Sequence, residues 1–130
     1  MGDVGSGFLG LAFGVLAVLS HAHGSMSLWS WGLLLAVFVV DATVTLVRRV
    51  ISGQKWSQAH RQHAYQHLAV RFGHRTVTVG VTIINAFFLL PLAIGAGKHP
   101  EYGVYFALLG AIPLVLVALS VGAGKESARA

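Results

Sequence analysis

The fold is decided first by residues 28–47, which read LWSWGLLLAVFVVDATVTLV and contain a single charged residue, Asp41. At about 1.5 Å of rise per residue, this run is long enough to cross the ~30 Å hydrocarbon core of a bilayer as one helix. Three further apolar runs lie at residues 4–20, 77–94 and 104–121, near the lower limit for a span. We therefore predict an all-α integral membrane protein with about four transmembrane helices in a single membrane domain, residues 1–130.

The composition separates this chain from soluble globular domains. Apolar residues make up 55% of the 130 residues and charged residues 10%, whereas a soluble domain carries about 25% charged residues. So little charge cannot cover a water-facing surface, so we expect the lipid bilayer to surround most side chains. There is no cysteine, which excludes disulfides and cysteine-ligated metals. Most basic residues lie in one loop between apolar runs, so nucleic acid is not expected as a partner.

The distribution of Lys and Arg predicts the orientation. The segment 48–75 is basic and separates the second apolar run from the third. If it is cytoplasmic, eight of the nine Lys and Arg residues are cytoplasmic and Lys98 is outside, which agrees with the positive-inside rule. Both termini are then cytoplasmic. Trp29, Trp31 and Tyr102 are expected near the outer interface, where aromatic side chains are enriched.

Glycines and prolines predict how the helices pack and bend. Gly10 and Gly14 form a GxxxG spacing in the first run, which lets two helix backbones approach closely and implies a partner helix. Pro91 and Pro113 predict kinks in the third and fourth helices.

Asp3 lies between glycines in Gly2-Asp3-Val4-Gly5-Ser6, directly before the first helix. One interpretation is an ordinary helix cap, in which the carboxylate accepts from free backbone N–H groups. The other is a magnesium ligand, because Mg²⁺ binds one or two carboxylates together with substrate phosphates. The flanking glycines would also let N–H groups approach a phosphate.

Asp41 lies six residues before the end of its apolar run. An acid at that depth needs a partner or a water-filled cavity. Arg48 follows two turns later on the same face, with Thr45 between them. The pattern fits a structural ion pair or hydrogen bond, or alternatively an acid that orients a catalytic loop.

The long loop concentrates imidazole and guanidinium groups. Within sixteen residues it carries His60, Arg61, His63, His67, Arg71, His74 and Arg75. Read as a helix, the segment has an apolar stripe suited to lying on the membrane, formed by Tyr65, Leu68, Ala69 and Phe72.

Three interpretations of this cytoplasmic amphipathic helix compete. A zinc site needs three or four convergent ligands, and here arginines alternate with the histidines without a carboxylate nearby. A solvated interfacial helix needs nothing beyond the pattern. A phosphate-recognition surface fits best, because Arg offers paired donors to phosphate and His adds further donors.

The ordered set of motifs resembles a known family. The GD-x-GS motif opening a glycine-rich helix, the acid in Asp41-Ala42-Thr43-Val44 late in the next helix, and the loop His60-Arg61-Gln62-His63 look like the C-terminal part of the polyprenyl-phosphate N-acetylhexosamine-1-phosphate transferases, glycosyl transferase family 4. The resemblance covers residues 1–92, and the histidine loop is similar to that of the branch that initiates O-antigen synthesis.

The resemblance implies a reaction in the bacterial inner membrane. A sugar-1-phosphate passes from a UDP-N-acetylhexosamine to undecaprenyl phosphate, with release of UMP and with Mg²⁺ as cofactor, in lipid-linked precursor synthesis for O-antigen or peptidoglycan. By match to the motifs, Asp3 would be a catalytic magnesium ligand and His63 a catalytic loop residue.

The same resemblance suggests roles for the neighbouring residues. His60, Arg61 and His67 would bind substrate, and Asp41 and Arg48 would orient the loop. Cationic donors stabilise a transferring phosphoryl group, which agrees with these assignments.

The chain also departs from the family pattern. The family carries an adjacent aspartate pair and an Asn-rich motif earlier in the sequence, and it has about ten spanning helices. Here the acids are Asp3, Asp41, Glu101 and Glu126, and Met1 matches a methionine that family members carry inside the chain. We therefore expect a C-terminal portion or one half of a split enzyme, inactive alone, with a membrane partner that supplies the rest.

Two other classes of function remain open. A small four-helix transporter would need polar residues along a path across the bilayer, for which Asn85, Asp41 and a few threonines qualify. A non-catalytic assembly subunit would use the glycine face of the first helix to bind another membrane chain.

Overall fold

The regular elements of the described chain are all helices. A computed structural model describes residues 3–53 and 64–122, apart from the side chains of Asp3, Ala64, Gln66 and His67. The α-helices in these ranges are α1 (Asp3–Ala22), α2 (Leu28–Leu34), α3 (Ala36–Ile51), α4 (Ala64–Phe72), α5 (His74–Ile84), α6 (Leu90–Lys98) and α7 (Gly103–Val121). A π-helical turn, Asn85–Leu89, joins α5 to α6, and a 3-10 turn, Pro100–Tyr102, precedes α7.

Three of these helices are long and apolar enough to cross a membrane. They are Val4–Ala22, His74–Lys98 and Pro100–Val121. Together α2 and α3 meet the same criterion, although their axes are bent by 73°. The predicted all-helical class is confirmed for the described residues, and the span count is three, or four if the bent pair is one span.

The second apolar run is divided at Leu35, where the sequence predicts one continuous helix. Leu35 has φ −94° and ψ 0°, a sparsely populated region of backbone space. Its carbonyl accepts from the N–H groups of both Phe38 and Val39 at 3.0 Å, so the hydrogen-bonded chain continues across the bend. Neither proline nor glycine lies at residues 34–36, so the bend has no local cause in the residue types.

The predicted loop 48–75 is shortened from both sides. Helix α3 continues to Ile51, so Arg48 and Arg49 occupy its last turn. Helix α5 begins at His74. The sequence predicts the start of the loop at the first charged residue. An arginine is nevertheless compatible with the last turn of a helix, because its positive charge interacts favourably with the C-terminal carbonyls.

Helix α2 packs into a groove that two glycines open on α7. A Cβ on Gly103 would lie 2.1 Å from the ring of Trp29, and a Cβ on Gly110 would lie 2.5 Å from Leu33 Cδ2. Gly103 and Gly110 are seven residues, or about two turns, apart and therefore lie on one face of α7. The two contacts follow in the same order along both helices, so α2 and α7 run parallel.

Two serines fasten α2 to α6 on its other side. Ser30, 2% exposed, donates from Oγ to the Ala93 carbonyl at 2.7 Å, and Ser27 donates to the Ala96 carbonyl at 3.3 Å. Ser27 also caps α2 by accepting from the Ser30 N–H at 3.1 Å. We call this end of the bundle, formed by residues 23–27 and 99–103, the serine end. The earlier serine, Ser27, bonds to the later alanine, Ala96, and Ser30 bonds to Ala93, so α2 and α6 run antiparallel.

A π-helical turn lies directly before Pro91, where the sequence predicts a kink. Proline lacks an N–H, and its ring clashes with the carbonyl four residues earlier, at Phe87. The wider turn Asn85–Leu89 lies directly before it and contains that carbonyl. Pro113, by contrast, lies inside α7, which the structure describes as one helix.

Helix α1 is joined to α2 near its C-terminal end. Trp31 Nε1 donates to Ser20 Oγ at 2.7 Å. Along the rest of α1, a Cβ on Gly7, Gly10 or Gly14 would meet no described atom within 4 Å. The partner helix predicted from the GxxxG spacing is therefore not found among the described residues.

We expect Gly103→Ala to lower the free energy of unfolding by about 1–3 kcal/mol, the usual cost of overpacking, because the added methyl group occupies the space of the Trp29 ring. SDS-induced unfolding in mixed micelles, followed by circular dichroism, measures this value. Gly80→Ala is the matched control, since a Cβ there meets nothing within 4 Å and alanine is favoured over glycine in a helix by about 1 kcal/mol. Equal stability of the two variants would contradict the proposed packing of α2 on α7.

Candidate functional site

The end of α3 and the end of α7 meet at the end of the bundle remote from the serine end. Arg48 Nη1 donates to the Leu119 carbonyl at 3.3 Å. Helix α4 contacts both α3 and α7 there and leads directly into α5. We call this end, which carries Arg48, Arg49, Arg71 and Arg75 from three helices, the basic end.

The residues predicted for the site differ in how far the structure describes them. Asp41 and Arg48 lie on α3. Asp3 is the first residue of α1, and His67 lies within α4, but neither side chain is described. His60, Arg61 and His63 lie outside the described residues, so their assignment stays a prediction.

The Asp41 carboxylate has a partner one turn along α3. Thr45 Oγ1 donates to Asp41 Oδ1 at 3.4 Å. Thr45 is 3% exposed, whereas Asp41 is half-buried. A buried hydroxyl without a partner is costly in an apolar environment, so the pair satisfies Thr45 and fixes the direction of the carboxylate. The two residues are four positions apart on one helix, a spacing that brings their side chains together and allows this hydrogen bond.

Arg48 links α3 to the last turn of α7. The Leu119 carbonyl is among the final carbonyls of α7, which have no partner within the helix. A cation there also interacts favourably with the helix dipole. Gly122, with φ +94°, then ends α7 in the left-handed conformation that favours glycine. Arg48 therefore holds the two helix ends together at the basic end.

The apolar stripe of α4 is divided between the bundle and the surroundings. Ala69 is 6% exposed and Leu68 is partly buried, whereas Tyr65 and Phe72 are exposed. The guanidinium carbon of Arg71 lies 5.3 Å from the centroid of the Phe72 ring, a cation–π distance. The small side chain of Ala69 permits close packing, and the two aromatic rings are left for the membrane interface.

A single glycine separates α4 from α5 and sets where the next cations lie. Gly73 has φ +82°, and its N–H donates to the Ala69 carbonyl at 2.9 Å. Because a residue with a side chain rarely adopts this conformation, the sharp turn depends on glycine. It leaves His74 and Arg75 exposed in the first turn of α5, where their donors are available to an anion.

The described residues do not form a metal site. Within residues 3–53 and 64–122, no three His, Asp or Glu side chains converge on one point. Of the acids described there, Asp41 is bonded to Thr45, and Glu101 lies 3.3 Å from His99 Nδ1 at the serine end. The side chain of the predicted magnesium ligand Asp3 lies outside the described part of the structure.

Two features lie outside the basic end, and the first of them, a pair of grooves, was missed from the sequence. Two open grooves flank α2 at the serine end, lined in part by His21 and by small residues. The sequence did contain a signal for the first groove, namely two pairs of small residues four positions apart, Gly32 with Ala36 and Ala107 with Ala111. In addition, Oδ1 of Asn85 in the π-helical turn is buried and has no hydrogen-bond partner among the described residues.

No family model, no curated protein and no solved structure matches this chain.

Thr45→Val removes the hydroxyl but keeps the shape of the side chain. We expect a loss of about 0.5–1.5 kcal/mol in unfolding free energy, because the Asp41 carboxylate loses a donor. Thr43→Val on the same helix is the control, since Thr43 is exposed. Denaturation in mixed micelles compares the two variants. A smaller loss for Thr45→Val than for Thr43→Val would show that the pair does not stabilise α3.

Proposed function

We propose that this chain is part of a membrane enzyme that transfers an N-acetylhexosamine-1-phosphate from a UDP-sugar to undecaprenyl phosphate and releases UMP. The observation that carries the proposal is the ordered set of motifs: Gly2-Asp3-Val4-Gly5-Ser6 at the start of the first helix, Asp41 in the second apolar run, and His60-Arg61-Gln62-His63 in the loop that follows. These residues are the basis of the proposal.

The chemistry at the basic end supports a phosphate substrate. An oxygen of the lipid phosphate attacks the sugar-linked phosphorus of the UDP-sugar, a new diphosphate bond forms, and the bond to UMP breaks with its electron pair leaving on UMP. The reaction moves negative charge among phosphate oxygens without creating a strong nucleophile. Positioning and cationic donors therefore supply most of the catalysis.

The arginines of the basic end are suited to such a substrate by type and by number. Arg presents a planar fork of donors that matches phosphate geometry. Arg75 and His74 are exposed at the start of α5, next to α4 with Arg71. Arg48 is bonded to α7, so within the proposal it positions the end of α3 that leads into the loop. Asp41, which accepts from Thr45 one turn later on α3, is proposed to help orient the same helix.

The remaining roles belong to residues beyond the described side chains. Asp3 is proposed as a magnesium ligand, His63 as a catalytic donor, and His60, Arg61 and His67 as substrate contacts. Magnesium, when bound, would neutralise phosphate charge. No two of the four acids of the sequence are adjacent, so none of them can supply the aspartate pair of the family. A second polypeptide segment would have to provide it, and the chain alone would be inactive.

The proposal includes an orientation in the bacterial inner membrane, with the basic end in the cytoplasm. The eight Lys and Arg residues predicted for that side support it. Two exposed tyrosines at or next to the serine end, Tyr102 and Tyr105, lie with their rings tilted by 47° and 6.4 Å between centroids. Such rings are typical of a membrane–water interface.

The lack of cysteine makes the orientation easy to test. Single substitutions Ser25→Cys at the serine end and Ser52→Cys at the basic end introduce one thiol each at exposed positions. With a membrane-impermeant maleimide on intact spheroplasts, we expect Ser25→Cys to react at once and Ser52→Cys only after lysis. The reversed labelling pattern would overturn the orientation.

The transfer reaction is tested on the chain purified under mild conditions from its own host membrane and, in parallel, on the chain expressed alone. With UDP-N-acetylhexosamines and undecaprenyl phosphate, we expect UMP release from the first preparation and none from the second. Asp3→Asn is expected to abolish release while membrane insertion is kept. Ser120→Ala, which removes an exposed hydroxyl bonded to the Val117 carbonyl of its own helix, is the control and should remain active.

The outcomes separate the parts of the proposal. Absence of UMP release from the host-membrane preparation would overturn the transferase. Turnover by the chain alone would overturn the requirement for a second segment. Normal turnover by Asp3→Asn would end the magnesium assignment.

One observation favours a second candidate function, a small transporter. Asn85 lies near the middle of the 25-residue span His74–Lys98, and its buried amide oxygen lacks a described partner. Polar groups within a span often line a path for a polar solute, and π-helical turns frequently occur at functional positions. Recovery of a partner that carries an aspartate pair would favour the enzyme instead.

A further inference from the structure

The serine end carries two adjoining grooves, one on either side of α2. The first, about 560 Å³ in volume, runs along α2, the start of α3 and α7. The second, about 440 Å³, lies between α2 and α6 and includes Ser25 and Lys98. His21, at the end of α1, and Pro100 line both grooves, so the two share one mouth.

The first groove is apolar beyond its mouth. Small residues leave its volume open, because Gly32 and Ala36 on one wall face a stretch of α7 with Ala107 and Ala111. A Cβ on Gly32 would meet no atom within 4 Å. From Pro100 to Ala111 the groove follows α7 for roughly 16 Å at ~1.5 Å per residue. That length is about half of the ~30 Å hydrocarbon core, which is the depth of one leaflet.

The second groove places a positive charge beside this mouth. Among the described residues Lys98 has no ion-pair partner. The acid of the same end, Glu101, lies instead 3.3 Å from His99 Nδ1. Ser25 and His21 add polar groups to the same wall. A groove one leaflet deep and apolar, opening beside an exposed ammonium group that has no ion-pair partner among the described residues, is complementary to a lipid with a phosphate head group.

We propose that the serine end binds one anionic phospholipid, with an acyl chain in the groove between α2–α3 and α7 and the phosphate beside Lys98 and His21. The size of the groove is in the range of binding sites for small ligands. The proposal requires only that the bundle is embedded in a membrane and is independent of the transferase. It places a lipid site at the end opposite to the basic end.

Native mass spectrometry of the full chain, released from nanodiscs of equimolar phosphatidylglycerol and phosphatidylcholine, tests the site. We expect one phosphatidylglycerol to be retained in preference to phosphatidylcholine. Lys98→Gln should lower the preference about fivefold, the effect of one basic residue near a membrane surface. Its matched control, Lys125→Gln, removes one lysine charge near the C-terminus of the sequence and should leave the preference unchanged.

The acyl chain is tested separately from the head group. Gly32→Leu fills the apolar groove without a clash at Cβ and should reduce retention of both lipids, whereas Gly80→Leu, in equally open space on α5, should not. Circular dichroism checks that each variant is folded, and His21→Gln replaces Lys98→Gln if the latter fails to fold.

Three results would overturn the proposal. The first is equal retention of the two lipids by the unchanged protein. The second is an equal effect of the groove variants and their controls. The third is displacement of the retained lipid by millimolar inorganic phosphate, which would show a site for free phosphate instead of a lipid.

Discussion

The seating of the short helix α2 between α6 and α7 is the constraint on which the rest of the bundle depends. In a bilayer the hydrophobic effect does not drive helices together, so close backbone approach and hydrogen bonds must do so. Here Gly103 and Gly110 admit Trp29 and Leu33 on one side. On the other, Ser30 donates to the Ala93 carbonyl. All three of these side chains belong to α2, which is only seven residues long.

Other parts of the bundle take their positions from α2. Its Trp31 holds the end of α1 through Ser20. The chain leaves α2 at Leu35 with a 73° bend, and α3 then runs along α7 until Arg48 reaches the Leu119 carbonyl. A shift of α2 would therefore change the structure at both ends of the bundle. It would alter the shape of the grooves beside Lys98 and the positions of Asp41 and Arg48.

The sequence predicts well those features that follow from hydropathy and local chemistry. The helical class, the limits of the apolar runs to within a few residues, and the contact of Thr45 with Asp41 all follow from composition and helical spacing. The bend at Leu35 does not, because residues 34–36 carry no helix-breaking residue and the cause lies in contacts with two distant helices. The π-helical turn before Pro91 was expected as a kink, while its form depends on packing that a single sequence does not reveal.

The candidate site follows a similar division. The cluster of arginine and histidine in the sequence lies largely outside the described residues, while Arg48, Arg49, Arg71 and Arg75 lie at one end of the bundle. The cluster did not indicate that Arg48 is bonded to the last turn of α7. The grooves at the serine end were missed because their lining residues, such as Gly32 and Ala107, are small apolar residues without chemistry of their own. The space they leave appears only after α2 and α7 are brought together.

The bend at Leu35 also adjusts the reach of the chain to the thickness of a membrane. A straight helix over the 7 residues of α2 and the 16 of α3 would measure about 35 Å at ~1.5 Å per residue. Bent by 73°, the same pair measures about 29 Å from end to end, which is close to the ~30 Å hydrocarbon core. With that line along the membrane normal, α3 is inclined by about 20°, the average for transmembrane helices, and α2 by about 50°. The bend thus shortens the reach of the two helices along that line while α2 stays fixed between its neighbours.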